Sequence, residues 1–305
     1  MADIKKYRGV FPAFYACYED DGSISVERTR ALAQHLLKKG VQGLYVGGSS
    51  GECIYQSVAE RKLVLETVME EVGDKMVIIA HVACNNTADS QELARHAESL
   101  NVDAIAAIPP IYFKLPPHGM AAYWNDISAA APNTDFIIYN IPQLAGVSLT
   151  MDLLREMLKN PRVIGVKNSS MPTQDIEMWE EVGGEEFAVF NGPDEQFISG
   201  LAMGAVGGIG GTYGVMPELY LKIFELFQEG KMKEALEIQH AACHAIYTMC
   251  SAKGNLYAVM KEVMKKREGI VLGSVRKPLP ALVESDMAIV DAAVAEIDEA
   301  IAKFC

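Results

Sequence analysis

Lys167 closes the apolar run Val163-Ile164-Gly165-Val166, and an amine carried by so apolar a stretch has chemistry that a solvated lysine lacks. A lone lysine at a strand end is more often a solvated charge or half of an ion pair. Aimed into a desolvated pocket, however, its ammonium is disfavoured, and the free amine can attack a carbonyl to form an imine. The protonated imine is an electron sink, so it stabilises the enamine left when a neighbouring C–C bond breaks. That chemistry needs a proton shuttle. Tyr139, near the end of the run Phe136–Ile141, offers a phenol that could relay a proton to or from a substrate hydroxyl. The alternative is a core tyrosine capped by one hydrogen bond. Gly47-Gly48-Ser49-Ser50-Gly51 supplies small residues, successive backbone N–H groups and two hydroxyls, which suits a carboxylate; a plain turn is the other reading. Asp194 and Glu195 either hydrogen-bond hydroxyls or favour a helix N-terminus through its dipole.

The elements that must position these groups are short. Apolar runs occur at 9–15, 43–48, 76–82, 103–109, 136–141, 163–169, 187–192 and 206–212, nearly continuous as strands buried on both faces should be. Between them lie helical patterns: Ser25 to Lys39 with Gly40 as a stop, and Ser57-Val58-Ala59-Glu60 as a capping box opening a helix that ends before Gly73. Thr87 and Thr150 likewise precede helical patterns. Eight such units predict α/β architecture with a parallel sheet. A doubly wound sheet calls for a Gly-x-Gly-x-x-Gly turn or a Walker A sequence, and neither occurs. A (β/α)8 TIM barrel over residues 1–229 is therefore expected, with a packed C-terminal helical extension over 230–305. In such a barrel the chemistry sits at the C-terminal ends of the strands. That rule collects the Ser49-Ser50, Tyr112, Tyr139, Lys167-Asn168-Ser169, Gly192-Pro193-Asp194-Glu195 and Gly211-Thr212 clusters.

Composition bounds the partners. The 305 residues are 50% hydrophobic and carry a net charge of −13, which argues against nucleic acid or an anionic membrane but leaves small molecules open. Cys17, Cys53, Cys84, Cys243, Cys250 and Cys305 form no Cys-x-x-Cys pair and read as reduced thiols. With no apolar leader and no bilayer-length run, a cytoplasmic enzyme is expected. His240 and His244 have a zinc-like spacing, but no glutamate completes His-Glu-x-x-His, so a structural role and no metal are expected. His81 reads as a satisfied core histidine.

Taken together and in order, Gly48-Ser49-Ser50-Gly51-Glu52, Tyr139-Asn140-Ile141-Pro142, Gly165-Val166-Lys167 and Gly207-Gly208-Ile209-Gly210 carry a family resemblance. From Gly9 to about Pro278 the chain resembles the dihydrodipicolinate synthase/N-acetylneuraminate lyase family of pyruvate-dependent class I aldolases. The resemblance implies a (β/α)8 barrel with a helical extension, a homotetramer, and no metal or organic cofactor. It also implies that Lys167 forms the imine, Tyr139 is the catalytic tyrosine, and Ser49 and Ser50 bind the carboxylate. Tyr112 matches a tyrosine contributed across a subunit interface. Leu144 stands where the synthases carry an arginine for their second substrate. That stretch, with Tyr45-Val46-Gly47-Gly48-Ser49 and Asn191–Glu195, is more similar to the sialic acid lyases, in which the matches of Gly192, Asp194 and Glu195 bind the polyol tail. Ser169, among the substrate-binding positions, replaces a usual threonine, and Gly211 replaces a usual serine. A lost contact to an uncharged hydroxyl costs about 0.5–1.5 kcal/mol, enough to retune affinity without abolishing a reaction. The implied activity is reversible cleavage of N-acetylneuraminate to N-acetylmannosamine and pyruvate. Its rivals are dihydrodipicolinate synthesis or another 2-keto-3-deoxy sugar acid aldolase, and a non-catalytic keto-acid sensor. Residues near Leu256 or Tyr257 in the helical tail are candidates to close the pocket.

Overall fold

Short, nearly continuous apolar runs become strands when both of their faces can be buried, and all eight do so. In the computed structural model, which describes residues 3–305, they form β1 (Gly9–Pro12), β2 (Gly43–Val46), β3 (Val77–His81), β4 (Ala104–Ala107), β5 (Asp135–Asn140), β6 (Val163–Asn168), β7 (Ala188–Asn191) and β8 (Gly207–Gly210). Every pairing is parallel and runs in chain order, with β8 returning to β1. The remaining seam is closed by Gln42 N–H to the Val10 carbonyl at 3.0 Å, Phe14 N–H to the Tyr45 carbonyl at 2.9 Å, and an Ala13–Tyr45 bridge. The result is a (β/α)8 barrel.

The helices are α1 (Val26–Lys39), α2 (Val58–Val72), α3 (Thr87–Ser99), α4 (Pro117–Ala130), α5 (Pro142–Ala145), α6 (Met151–Met157), α7 (Gln174–Gly183), α8 (Phe197–Ala202), α9 (Pro217–Gln228), α10 (Met232–Cys250), α11 (Leu256–Glu268) and α12 (Met287–Phe304). Their ends follow local chemistry. Ser25 accepts from Arg28 N–H, and Gly40 ends α1 at φ 79°; Ser57 and Glu60 form the expected capping box. Thr150 caps α6, but Thr87 is already helical. Asn86 is the cap there, its side chain accepting from Asp89 N–H at 2.8 Å, because an amide oxygen one residue earlier reaches that donor. After α9, α10 packs between α9 and α12, and α11 lies against α12. Among the described residues no helix is long and apolar enough to cross a membrane.

Two apolar layers result. Alternate strand residues pack outward beneath the helices, and the others fill the barrel: Phe11, Tyr45, Ile79, Ile137, Tyr139 and Phe190 among them. Phe11 and Phe190 meet edge to face at 5.7 Å, and full burial of side chains of this size stabilises the fold by about 1.5–3 kcal/mol each. One irregularity governs the site. Between β5 and β6 the register passes from Phe136–Val163 to Ile137–Gly165, leaving Ile164 as an extra residue on β6. Beyond this bulge Lys167 lies between Tyr139 and Phe190, both of which point inward. Side-chain direction alternates along a strand, so without Ile164 as the extra residue Lys167 would face the helices.

Candidate active site

Lys167 is 4% exposed, and its Nζ sits 4.0 Å from the ring centroid of Tyr139 and 4.2 Å from that of Tyr45. The two rings meet edge to face at 5.8 Å, and His81 packs edge-on to Tyr139 at 6.0 Å. Among the described residues Lys167 makes no ion pair, unlike the other buried lysine, Lys261. Ring faces attract a cation without accepting its proton covalently or capping it as a carboxylate would. The nitrogen is thus held in place yet left sterically free to reach a carbonyl carbon. His81 behaves as expected of a core histidine: Nδ1 lies 2.9 Å from the Gly47 carbonyl and Nε2 accepts from Ile108 N–H at 3.4 Å. Burial, with Arg61 nearby, pushes its pKa well below the usual imidazole range, so it stays neutral.

Above Lys167 the strand ends open into a cavity of about 300 Å³. Ser49, Ser50, Tyr139, Lys167, Ser169, Gly192, Asp194 and Glu195 all line it, so eight of the nine residues singled out from the sequence converge on one space. The ninth does not. Tyr112 is 90% exposed at φ 87°, stacked edge to face on Phe113, and borders a different cavity.

Local geometry explains the rim. Gly47 turns the chain at φ 76° after β2, and Gly51 N–H to the Gly48 carbonyl at 3.1 Å tightens the loop that presents Ser49 and buried Ser50. Asn168 ties the end of β5 to the end of its own strand β6: its side-chain oxygen accepts from Asn140 Nδ2 and from Ser170 N–H, each at 3.0 Å. Gly192 is required by space, since a Cβ there would fall 2.1 Å from Ser169 Oγ and 2.5 Å from the Asn168 carbonyl. Asp194 is buried, and its Oδ2 takes both the N–H and the hydroxyl of Thr212 at 2.6 Å. Among the described residues Oδ1 receives no donor, which leaves one carboxylate oxygen for a ligand. Burial pushes the Asp194 carboxyl up to about 6, against the pull of the Thr212 donors.

The sequence did not single out three further walls, Tyr45 beside Lys167 and, across the mouth, Ile246 and Met260; Met260 stands there beside the candidate Tyr257. The last two stand three residues apart on α11, with Leu256, so helical spacing hinted at a shared face. Nothing local said that this face meets the barrel. Gly211 also lines the cavity, and a Cβ there would lie 3.2 Å from Ser50 Oγ. A serine at this position would press on Ser50, so the glycine trades one hydroxyl for room. Among the described residues no cluster of three or more histidine, cysteine or acidic residues could hold a metal ion, His240 and His244 included.

Comparison with known proteins places the chain. Residues 6–297 match the dihydrodipicolinate synthetase family. The chain is 64% identical over 304 residues to an N-acetylneuraminate lyase of Mediterraneibacter gnavus, covering 100% of this chain and 96% of that protein. Its fold superposes with a TM-score of 0.99 on a structure described as a Ruminococcus gnavus sialic acid aldolase catalytic lysine mutant, at 63% identity and full coverage of both chains. A Fusobacterium nucleatum N-acetylneuraminate lyase complexed with pyruvate matches at a TM-score of 0.87 and 30% identity, covering 98% of each chain.

Proposed function

The chain belongs to the dihydrodipicolinate synthetase family, and on that premise we propose that it is a class I aldolase that cleaves N-acetylneuraminate to N-acetylmannosamine and pyruvate. The single observation that carries the chemistry is an unpaired, buried Lys167 facing a cavity beside the Tyr139 ring. In this reading the Lys167 amine adds to the substrate's keto carbon, and loss of water gives the imine. Having given its own proton to the departing water, Tyr139 takes the proton of the hydroxyl two carbons from the keto carbon, the C–C bond to that hydroxyl-bearing carbon breaks on the keto side, and its electron pair passes into the protonated imine as an enamine. The aldehyde sugar leaves. Protonation of the enamine carbon and hydrolysis then release pyruvate and restore the amine. Ser49 and Ser50 line the cavity with Lys167 and would take the carboxylate through their hydroxyls and backbone N–H groups, while Ser169, Gly192, Asp194 and Glu195 of the same cavity would take the polyol.

The exposed Tyr112–Phe113 pair supports a homotetramer in which Tyr112 reaches a neighbouring copy's pocket, as the family resemblance implies. Six free cysteines suit a reducing, cytoplasmic setting. The deciding experiment is a coupled assay for pyruvate release across a panel of sugar acids, with borohydride trapping of pyruvate followed by peptide mapping. Release from N-acetylneuraminate and an adduct on Lys167 are expected. Turnover of aspartate semialdehyde alone, or pyruvate binding without any aldol turnover, would overturn the assignment.

Protonation of Asp194 gives a second test. Its carboxylate accepts substrate hydroxyls through Oδ1, and a proton there turns an acceptor into a donor. KM for the sugar acid should therefore rise as pH falls through about 6, and Asp194→Asn should flatten that limb. For stability the sign is opposite. A carboxyl raised above its ordinary 3.8 contributes most below that value, and this contribution is lost as pH rises through about 6. A KM that stays constant over about one pH unit on either side of 6 would exclude Asp194 from binding.

A further inference from the structure

Asp194 and Glu195 stand on one 3-10 turn (Asp194–Gln196) followed by the six-residue α8, segments too short to hold their own conformation in water. Something else must fix them. From the β8 side, Thr212 holds the Asp194 side chain. The backbone is held from α10, more than forty residues on. Gln239 is 3% exposed; its Nε2 donates to the Asp194 carbonyl and its Oε1 accepts from Ile198 N–H, both at 3.0 Å. One turn further along α10 the Cys243 thiol points at the Glu195 carbonyl at 3.6 Å, and two turns along Ile246 forms part of the cavity wall.

We propose that Gln239 is a positioning residue for polyol recognition: it spans the turn at both ends and thereby sets where Asp194 Oδ1 and Glu195 meet the substrate's hydroxyls. The inference rests on the sugar-acid reading above. One primary amide is suited to the task because it supplies a donor and an acceptor from a single rigid plane, matching one backbone carbonyl and one N–H four residues apart. Misplacement of a binding group by about 1 Å can cost on the order of 100-fold, so a turn free to shift loses recognition before it loses the fold. Gln239 does not touch Lys167, Tyr139 or the serine loop, so the pyruvate half is untouched by its loss.

The test compares the wild type with Gln239→Leu, and with Gln239→Met as a nearly isosteric second variant should the first fail to fold. With N-acetylneuraminate, KM is expected to rise about tenfold or more while kcat stays within about threefold. With a short 2-keto-4-hydroxy acid lacking the polyol tail, kcat/KM should be unchanged, and borohydride trapping of pyruvate at Lys167 should match the wild type. An unchanged KM for the long substrate, or equal losses on both substrates, would reduce Gln239 to ordinary packing and overturn the proposal. If the wild type itself releases pyruvate from no sugar acid, the functional reading fails first and this inference falls with it.

Discussion

Lys167→Met should lower kcat for pyruvate release by about 10⁴-fold or more, equivalent to roughly 5.5 kcal/mol of transition-state stabilisation. Methionine keeps the unbranched stem between the Tyr45 and Tyr139 rings but has no nucleophile, so no imine forms and no electron sink exists for the breaking bond. The same substitution should raise the melting temperature. A buried polar nitrogen with no ion pair is costly, and a thioether in its place is not. Opposite signs for activity and stability distinguish a functional lysine from a structural one. Residual turnover within about tenfold of the wild type, measured by the coupled pyruvate assay, would exclude the imine mechanism; a fall in melting temperature would exclude the account of Lys167 as a costly, unpaired buried group.

The second large effect concerns the molecule's other buried lysine. Lys261 Nζ donates to Glu52 Oε1 at 2.7 Å and to the Ser274 carbonyl at 2.9 Å, with side chains 2% and 0% exposed. Glu52 Oε2 accepts from Arg276 N–H at 2.8 Å. Burial pushes the Lys261 pKa down, opposed by the Glu52 charge. Glu52 itself adopts φ 52°, an uncommon conformation for a side chain of its size, which the three-way contact sustains. The pair ties the loop carrying Ser49 and Ser50 to α11, the helix that brings Tyr257 and Met260 to the cavity. Lys261→Met strands a buried carboxylate and should destabilise the protein by about 3–5 kcal/mol. For a chain of 305 residues that corresponds to a fall in melting temperature of about 5–8 °C. The double variant Glu52→Gln/Lys261→Met removes both charges and should recover at least about half of the loss. A double variant no better than Lys261→Met would show that shape rather than charge pairing holds the loop.

These two lysines mark how far the sequence is readable. Lys167 was legible because strand ends in an alternating β/α pattern form a short list, and because its neighbours in that list, Tyr139 and Ser49-Ser50, have complementary chemistry. Lys261 was not. It sits in an amphipathic helix with the same local signature as Lys265 and Lys266, which are exposed or half-buried, and only packing separates them. Tyr112 shows the reverse case: a strand-end position that looks like its neighbours in sequence but projects away from the cavity of its own chain.

What the sequence by itself determined is the set of eight strands, most helix ends, and the chemistry available at the barrel mouth. Those features depend on contacts within a few residues: apolar runs, capping side chains and glycine turns. The tertiary structure alone decided which way that chemistry points. The run Val163–Asn168 is apolar on both faces, so alternation could not say whether Lys167 looks into the barrel or out of it; the extra residue Ile164, opposite β5, settles the parity. Likewise Gln239 with Asp194 and Lys261 with Glu52 act over separations of 45 and 209 residues. Such pairings carry no local periodicity, because they exist only once the barrel has closed and α10 and α11 have packed across its mouth.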